Sequence, residues 1–179
     1  MTSAKPNHWF PNDFSPVRTV FGKVTEGLAE QRCERDRSDA ASGHITGLRL
    51  SDRSGDGIAF MHGIHGSDHH MLALAKAEGP GLHHLSWDVG SIHEIGLGAM
   101  QMADKGFSAG WGLGRHVLGS NYFHYVRDPW GSYAEYSADI DYIPANCDWQ
   151  AEDNPPHDSF YVWGPTPPED FAFNYETKR

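Results

Sequence analysis

GLHHLSWDVGSIHEIGLGAMQMADKG, residues 81–106, reads as a strand that runs directly into a capped helix. In its second half Ser91 stands where an N-cap belongs and Glu94 occupies the capping-box position. Ile92, Ile95, Met100 and Met102 supply the apolar surface, and Gly106 after Lys105 supplies the stop. The first half, LHHLSWDV, has the composition of a strand but begins with two histidines, His83 and His84. Successive strand side chains point to opposite faces, so alternation turns one imidazole toward the core and the other away.

Working outward, FSAGW at 107–111 reads as a short strand and SNYFHYVRD at 120–128 as a longer one. DPWG makes a turn with proline at its second position, and SYAEYSA at 132–138 closes the unit. The order is β-α-β-β-β. Upstream the same order is expected. VRTVFGKV at 17–24 alternates as a strand, GLAEQRCERDRSDAA at 27–41 has helix formers but a weak apolar face, and HITGLRLSD at 44–52, GIAFMHG at 57–63 and HHMLALA at 69–75 read as strands. The class is therefore α+β, with two βαβββ modules at about 17–77 and 80–143 related by element order rather than by sequence identity. Residues 1–16 read as an N-terminal arm. The extension at 144–179 is rich in aspartate, proline and aromatics, and its FYVW at 160–163 can add a strand or pack as a lid.

A chain of 179 residues can bury one core. Its formal charge of -10 offers no basic face for phosphates, which argues against nucleic acid and anionic membrane and for a small organic ligand. Two distant cysteines, Cys33 and Cys147, exclude a CxxC site and suit a reducing cytoplasm. No export signal or membrane-spanning run is visible. Of twelve histidines, nine (His62, His65, His69, His70, His83, His84, His93, His116 and His124) crowd the middle of the chain, a concentration that favours a metal or proton-transfer site.

Alternation selects among them. Phe123 and Tyr125 share one face of their strand, Glu135 shares a face with Tyr133 on the next, and the DPWG turn makes the two strands a hairpin. A glutamate in mid-strand between alanine and tyrosine is costly to bury as an anion without a positive partner. A metal ion answers that need. Histidine nitrogen with carboxylate oxygen, and no thiolate, suits Fe(II), Mn(II) or Zn(II) in a two-histidine, one-carboxylate arrangement with open positions.

Residues 57–143 resemble the catalytic domain of the type I extradiol catechol dioxygenases of the vicinal oxygen chelate superfamily. The resemblance rests on DHHMLALAKAEGPGLHHLSWDV, on GRHVLGSNYFHYVRDPWGSYAEYSADIDY and on their spacing: His70 lies fourteen residues before His84, and Tyr125 and Glu135 lie nine and nineteen after His116. It implies paired βαβββ modules forming an incomplete barrel around a metal site, with His84 and Glu135 as metal ligands to Fe(II), Mn(II) being possible. It places His70, His116 and Tyr125 around substrate and dioxygen as catalytic residues, with His84 pointing inward and His83 outward. The implied partners are a catechol-type substrate and O2, and the implied assembly is a homo-oligomer. The implied reaction is ring opening beside the two hydroxyls.

One position departs from the family pattern. The first ligand histidine is expected on the first strand, and alignment there puts Val20 in its place. His8 or His44 could substitute. Two rival readings follow: a relative that binds a ligand without redox chemistry, and a metal-deficient, inactive dioxygenase segment. Trp87, Trp111 and Trp130 are further candidates for the pocket wall.

Overall fold

The computed structural model describes residues 19–24 and 47–178. The expected arm at 1–16 and helix at 27–41 lie outside the described residues, as do His8 and His44.

The DPWG hairpin anchors the second half. Strands β8 (Tyr122–Arg127) and β9 (Tyr133–Ala138) pair antiparallel with Tyr125 directly opposite Glu135. Alternation holds: Phe123, Tyr125, Tyr133, Glu135 and Ser137 are all buried. Strand β6 (Gly81–Asp88) lies parallel to β9 with Ser86 beside Glu135. Helix α1 (Ile92–Asp104) crosses over between them with Ile95 fully buried, but Ile92 and Met100, expected on its apolar surface, are exposed, Met100 lying about 140° round the helix from Ile95. The Ser91 hydroxyl accepts from the Glu94 N–H at 3.3 Å, whereas the Glu94 carboxylate accepts from Gly90 rather than from the cap residue.

The first half mirrors the second. Strands β1 (Thr19–Val24), β2 (Leu48–Ser54), β3 (Ile58–Gly63) and β5 (Leu72–Lys76) repeat the connectivity, β1 lying parallel to β5. A two-residue strand β4 (Ser67–Asp68) interrupts the run before β5 and pairs with β10 (Tyr142–Ile143). An antiparallel β1–β6 ladder joins the halves. With β7 (Gly110–His116), β11 (Glu152–Asp153) and β12 (Tyr161–Trp163), the ten-stranded order is β11-β2-β3-β5-β1-β6-β9-β8-β7-β12. The two edges do not meet, so the sheet is an incomplete barrel of paired βαβββ type, as expected from the sequence.

Three expectations change. His83 does not face outward: the β1–β6 register steps from Val20↔Leu85 to Gly22↔Leu82, so two β6 residues, His83 and His84, oppose one on β1. Such a bulge suspends the two-residue period, and His83 and His84 are 9% and 2% exposed. Second, the strand expected at FSAGW begins only at Gly110 and runs on to His116, which ends β7. A run as rich in glycine as GWGLGRH carries no hydropathy alternation to read. It is a strand because glycine permits contact: a Cβ at Gly110 would stand 1.9 Å from the Tyr125 carbonyl oxygen. Third, none of the three tryptophans lines the central cavity. Trp111 packs in the aromatic core with Phe123, Tyr125, Tyr133 and Phe171, donating its indole N–H to the Pro165 carbonyl at 2.7 Å, and Trp130 is exposed.

The C-terminal extension both adds strands and closes over the sheet. β11 runs parallel to β2, β12 runs antiparallel to β7, and Arg127 holds Asp170 at 2.9 and 3.0 Å.

Candidate active site

The strand registers converge on one cavity of about 410 Å3. From β6 comes His84, from β9 Glu135, from β8 Tyr125, from the end of β7 His116, and from the turn before β5 His70. All five residues named from the sequence line it. Ile58, Phe60, Leu118, Phe160 and Phe171 make apolar walls, the last two from the C-terminal extension.

At the centre the Nε2 of His84 lies 3.3 Å from the Oε2 of Glu135, both side chains 3% exposed. Their environments decide the proton positions. A carbonyl only accepts, so the bond of 2.6 Å between His83 Nε2 and the Phe171 carbonyl fixes His83 as the Nε2–H tautomer. Its Nδ1 then accepts from the Nδ1–H of His84 at 2.6 Å, and His84 turns a lone pair at Nε2 toward the Glu135 carboxyl. Two acceptors at that distance require a proton or a cation between them. Burial holds the His84 imidazole well below its ordinary pKa, with His116 adding to the effect, so the ring is neutral. Burial also pushes the Glu135 carboxyl up, opposed by His116 and by hydrogen bonds from Ser86, Tyr125 and Asn121. A neutral imidazole and a buried carboxyl suit a divalent ion as donors.

Around this pair, His116 donates Nδ1–H to the Phe160 carbonyl at 2.8 Å, which leaves Nε2 as an acceptor 3.0 Å from the Tyr125 hydroxyl, whose single proton is shared between His116 and Glu135. The same Nε2 lies 3.9 Å from Glu135 Oε1. Burial holds His116 below the ordinary imidazole value, with Glu135 and the Phe160 carbonyl pulling it back up. Burial and then Glu135 push the Tyr125 phenol well above its ordinary value, so it keeps its proton. His70 is held well below its ordinary value, first by burial and then by His69, His116 and His84.

Behind His70 stands a row the sequence reading did not single out. Its Nδ1 meets the Nδ1 of His69 at 2.9 Å, and His69 Nε2 meets Asp52 Oδ2 at 2.8 Å. Asn121, which donates to Ser137 Oγ at 2.9 Å and to Glu135 Oε1 at 3.4 Å, was also missed. The repeated HH doublet at 69–70 and 83–84 was the available signal for His69; for Asn121 there was none.

Among the described residues no three His, Cys, Asp or Glu side chains converge as a metal-binding group, and His84 and Glu135 approach each other to 3.3 Å. Strand β1 contains no histidine, and Val20 lies in backbone register with Leu85.

A sequence profile described as the Glyoxalase/Bleomycin resistance protein/Dioxygenase superfamily matches residues 43–136. The chain belongs to that superfamily. Metapyrocatechase 2 of Cupriavidus necator is 62% identical over 130 residues, which cover 73% of this chain and 41% of that protein. Among solved structures, the Mn(II)-bound glyoxalase from Novosphingobium aromaticivorans superposes with a TM-score of 0.70 at 24% identity, over 93% of this chain and 52% of that one. Homoprotocatechuate 2,3-dioxygenase from Brevibacterium fuscum, in complex with 3,4-dihydroxyphenylacetate, gives 0.67 at 20% identity, over 89% and 49%. These structures share the superfamily's fold. The chain thus spans less than half of metapyrocatechase 2 and about half of each of these two structures. Its first 42 residues, β1 included, precede the profile match.

Proposed function

We propose that this chain carries the active site of an extradiol dioxygenase, which opens a catechol-type ring beside its two hydroxyls and incorporates both atoms of O2. The observation that carries the reading is the buried contact of His84 with Glu135 in a cavity that also holds His70, His116 and Tyr125. Identity with metapyrocatechase 2 across this region supports it. His84 and Glu135 would hold the metal, Fe(II) in the first instance and Mn(II) as the alternative; bound there, it supplies Lewis acidity toward the diol and electron exchange with dioxygen.

The chain's own residues do the rest. Tyr125, whose phenol keeps its proton, and His116 exchange the hydrogen bond between them for bonds to substrate, the phenol donating to one substrate oxygen and His116 Nε2 accepting from a substrate hydroxyl. Neutral His70 takes a proton from the reacting oxygens and returns it. Phe60, Leu118, Phe160 and Phe171 exclude water from the reacting ring. A reducing cytoplasm suits such a site.

Anaerobic loading with Fe(II), followed by catechol or 2,3-dihydroxybiphenyl in air, tests the reading. A yellow ring-opened product with stoichiometric iron is the expected result. Iron without colour would instead indicate a binding protein of the superfamily, and neither iron nor colour a metal-deficient segment. Val20→His addresses the first strand directly: a large gain in iron occupancy would show that the metal lacks a donor there.

A further inference from the structure

Asp52, His69 and His70 form a hydrogen-bonded row that runs from the sheet interior to the cavity wall, and its direction is fixed by chemistry. Asp52 is anchored at one oxygen, Oδ1, which accepts the Glu152 backbone N–H at 2.7 Å. Its other oxygen, Oδ2, receives His69 Nε2 at 2.8 Å, so that nitrogen carries the proton. In the tautomer that carries its proton on Nε2, His69 Nδ1 is an acceptor, served at 2.9 Å by a proton on His70 Nδ1. The remaining nitrogen of His70, Nε2, is the basic one. His69 is 1% exposed and does not line the cavity, whereas His70 does. The His69 backbone is pinned as well, its carbonyl accepting from Ser51 Oγ and its N–H donating to the Asp141 carbonyl at 2.6 Å. Gly119, at φ +82°, packs against the junction: a Cβ there would lie 2.9 Å from His70 Cε1, 3.1 Å from His70 Nδ1 and 3.3 Å from His69 Nδ1.

We propose that Asp52 and His69 are positioning residues that hold His70 as the Nδ1–H tautomer, so that Nε2 is the atom that takes and returns the catalytic proton. When Nε2 accepts a proton, the positive charge is shared along the row toward the Asp52 carboxylate rather than left on a buried ring. No atom beyond the transferred proton is gained or lost, and its return resets the row. The catalytic part of this inference rests on the dioxygenase reading; the tautomer does not.

Asp52→Asn reverses the row with little change of shape. The amide oxygen keeps the Glu152 contact, while the amide N–H2 donates to His69 Nε2, driving the His69 proton to Nδ1 and the His70 proton to Nε2. Imidazole 15N NMR on the full chain should show Nδ1–H for His70 and Nε2–H for His69, both inverted in Asp52→Asn. In the iron-loaded enzyme kcat should fall about 100-fold while KM changes little, the range expected for loss of a positioned acid–base group. His69→Gln, whose amide oxygen can still accept from His70, should retain most of the rate, and His69→Phe should not. A His70 that is Nε2–H in the wild type, or that keeps its tautomer in Asp52→Asn, overturns the proposal. Correct tautomers in a chain that turns over no catechol would leave the positioning intact and remove the dioxygenase reading instead.

Discussion

Glu135 is 3% exposed on a strand between Ala134 and Tyr136, and its carboxyl is tolerated there because Ser86, Tyr125 and Asn121 bring hydrogen bonds to it. Glu135→Gln and His84→Ala should each lower iron occupancy at least 10-fold, measured by metal analysis after dialysis, since each removes one of two converging donors. Tyr125→Phe should leave occupancy unchanged and lower kcat roughly 10- to 100-fold, because it deletes one hydrogen bond to substrate and no metal donor. These side chains were legible from the sequence. Strict alternation on β8 and β9 put Tyr125 and Glu135 on one face, and a proline turn fixed their register. His83 was misread for a local reason: one extra residue in β6 turns both imidazoles inward, and a bulge has no signature in a period-two pattern. Asp52 was invisible because its importance lies in a contact across seventeen residues with His69, not in its own surroundings.

At the level of elements, β7 shows what glycine conceals. The strand approaches β8 so closely that Gly110→Ala would drive a methyl group into the Tyr125 carbonyl and shift the strand that carries His116. A loss of about 3 kcal/mol or more is expected in denaturant titration, where an ordinary surface substitution costs less than 1. The helix, by contrast, was readable almost to the residue. Its cap and apolar spacing act locally, and Ser91→Ala should cost about 1 kcal/mol through the Glu94 N–H it leaves without its acceptor. The pseudo-repeat was recoverable from element order alone, but the tiny β4–β10 ribbon was not, since two-residue strands form only where the rest of the fold brings them together.

For the whole molecule, the buried imidazoles set a pH response. His70, His84 and His116 have folded pKa values below the ordinary imidazole value, so above about pH 6.5 they are neutral folded or unfolded and impose no penalty. Below that pH the unfolded chain takes up protons first, and stability falls as pH drops toward their folded values. Glu135 acts in the opposite sense, since its raised pKa favours the folded state as pH falls. Three groups against one should make the thermal midpoint of the metal-free protein lower at pH 5.5 than at pH 7.5, by differential scanning calorimetry. Saturating Fe(II) should raise the midpoint at pH 7.5, with a smaller gain at pH 5.5, where protons compete more strongly for Glu135.

Three of the proton positions in the cavity are dictated by two carbonyl groups far along the chain: Phe160 for His116 and Phe171 for His83, and through His83 for His84. During synthesis these arrive after the strands that carry the imidazoles. The sheet that bears the imidazoles can pair before then, but until Phe171 has emerged from the ribosome its carbonyl cannot select which nitrogen of His83 carries hydrogen. A nascent chain would therefore hold its histidines in place well before it could use them, and metal uptake should lag behind sheet formation during translation.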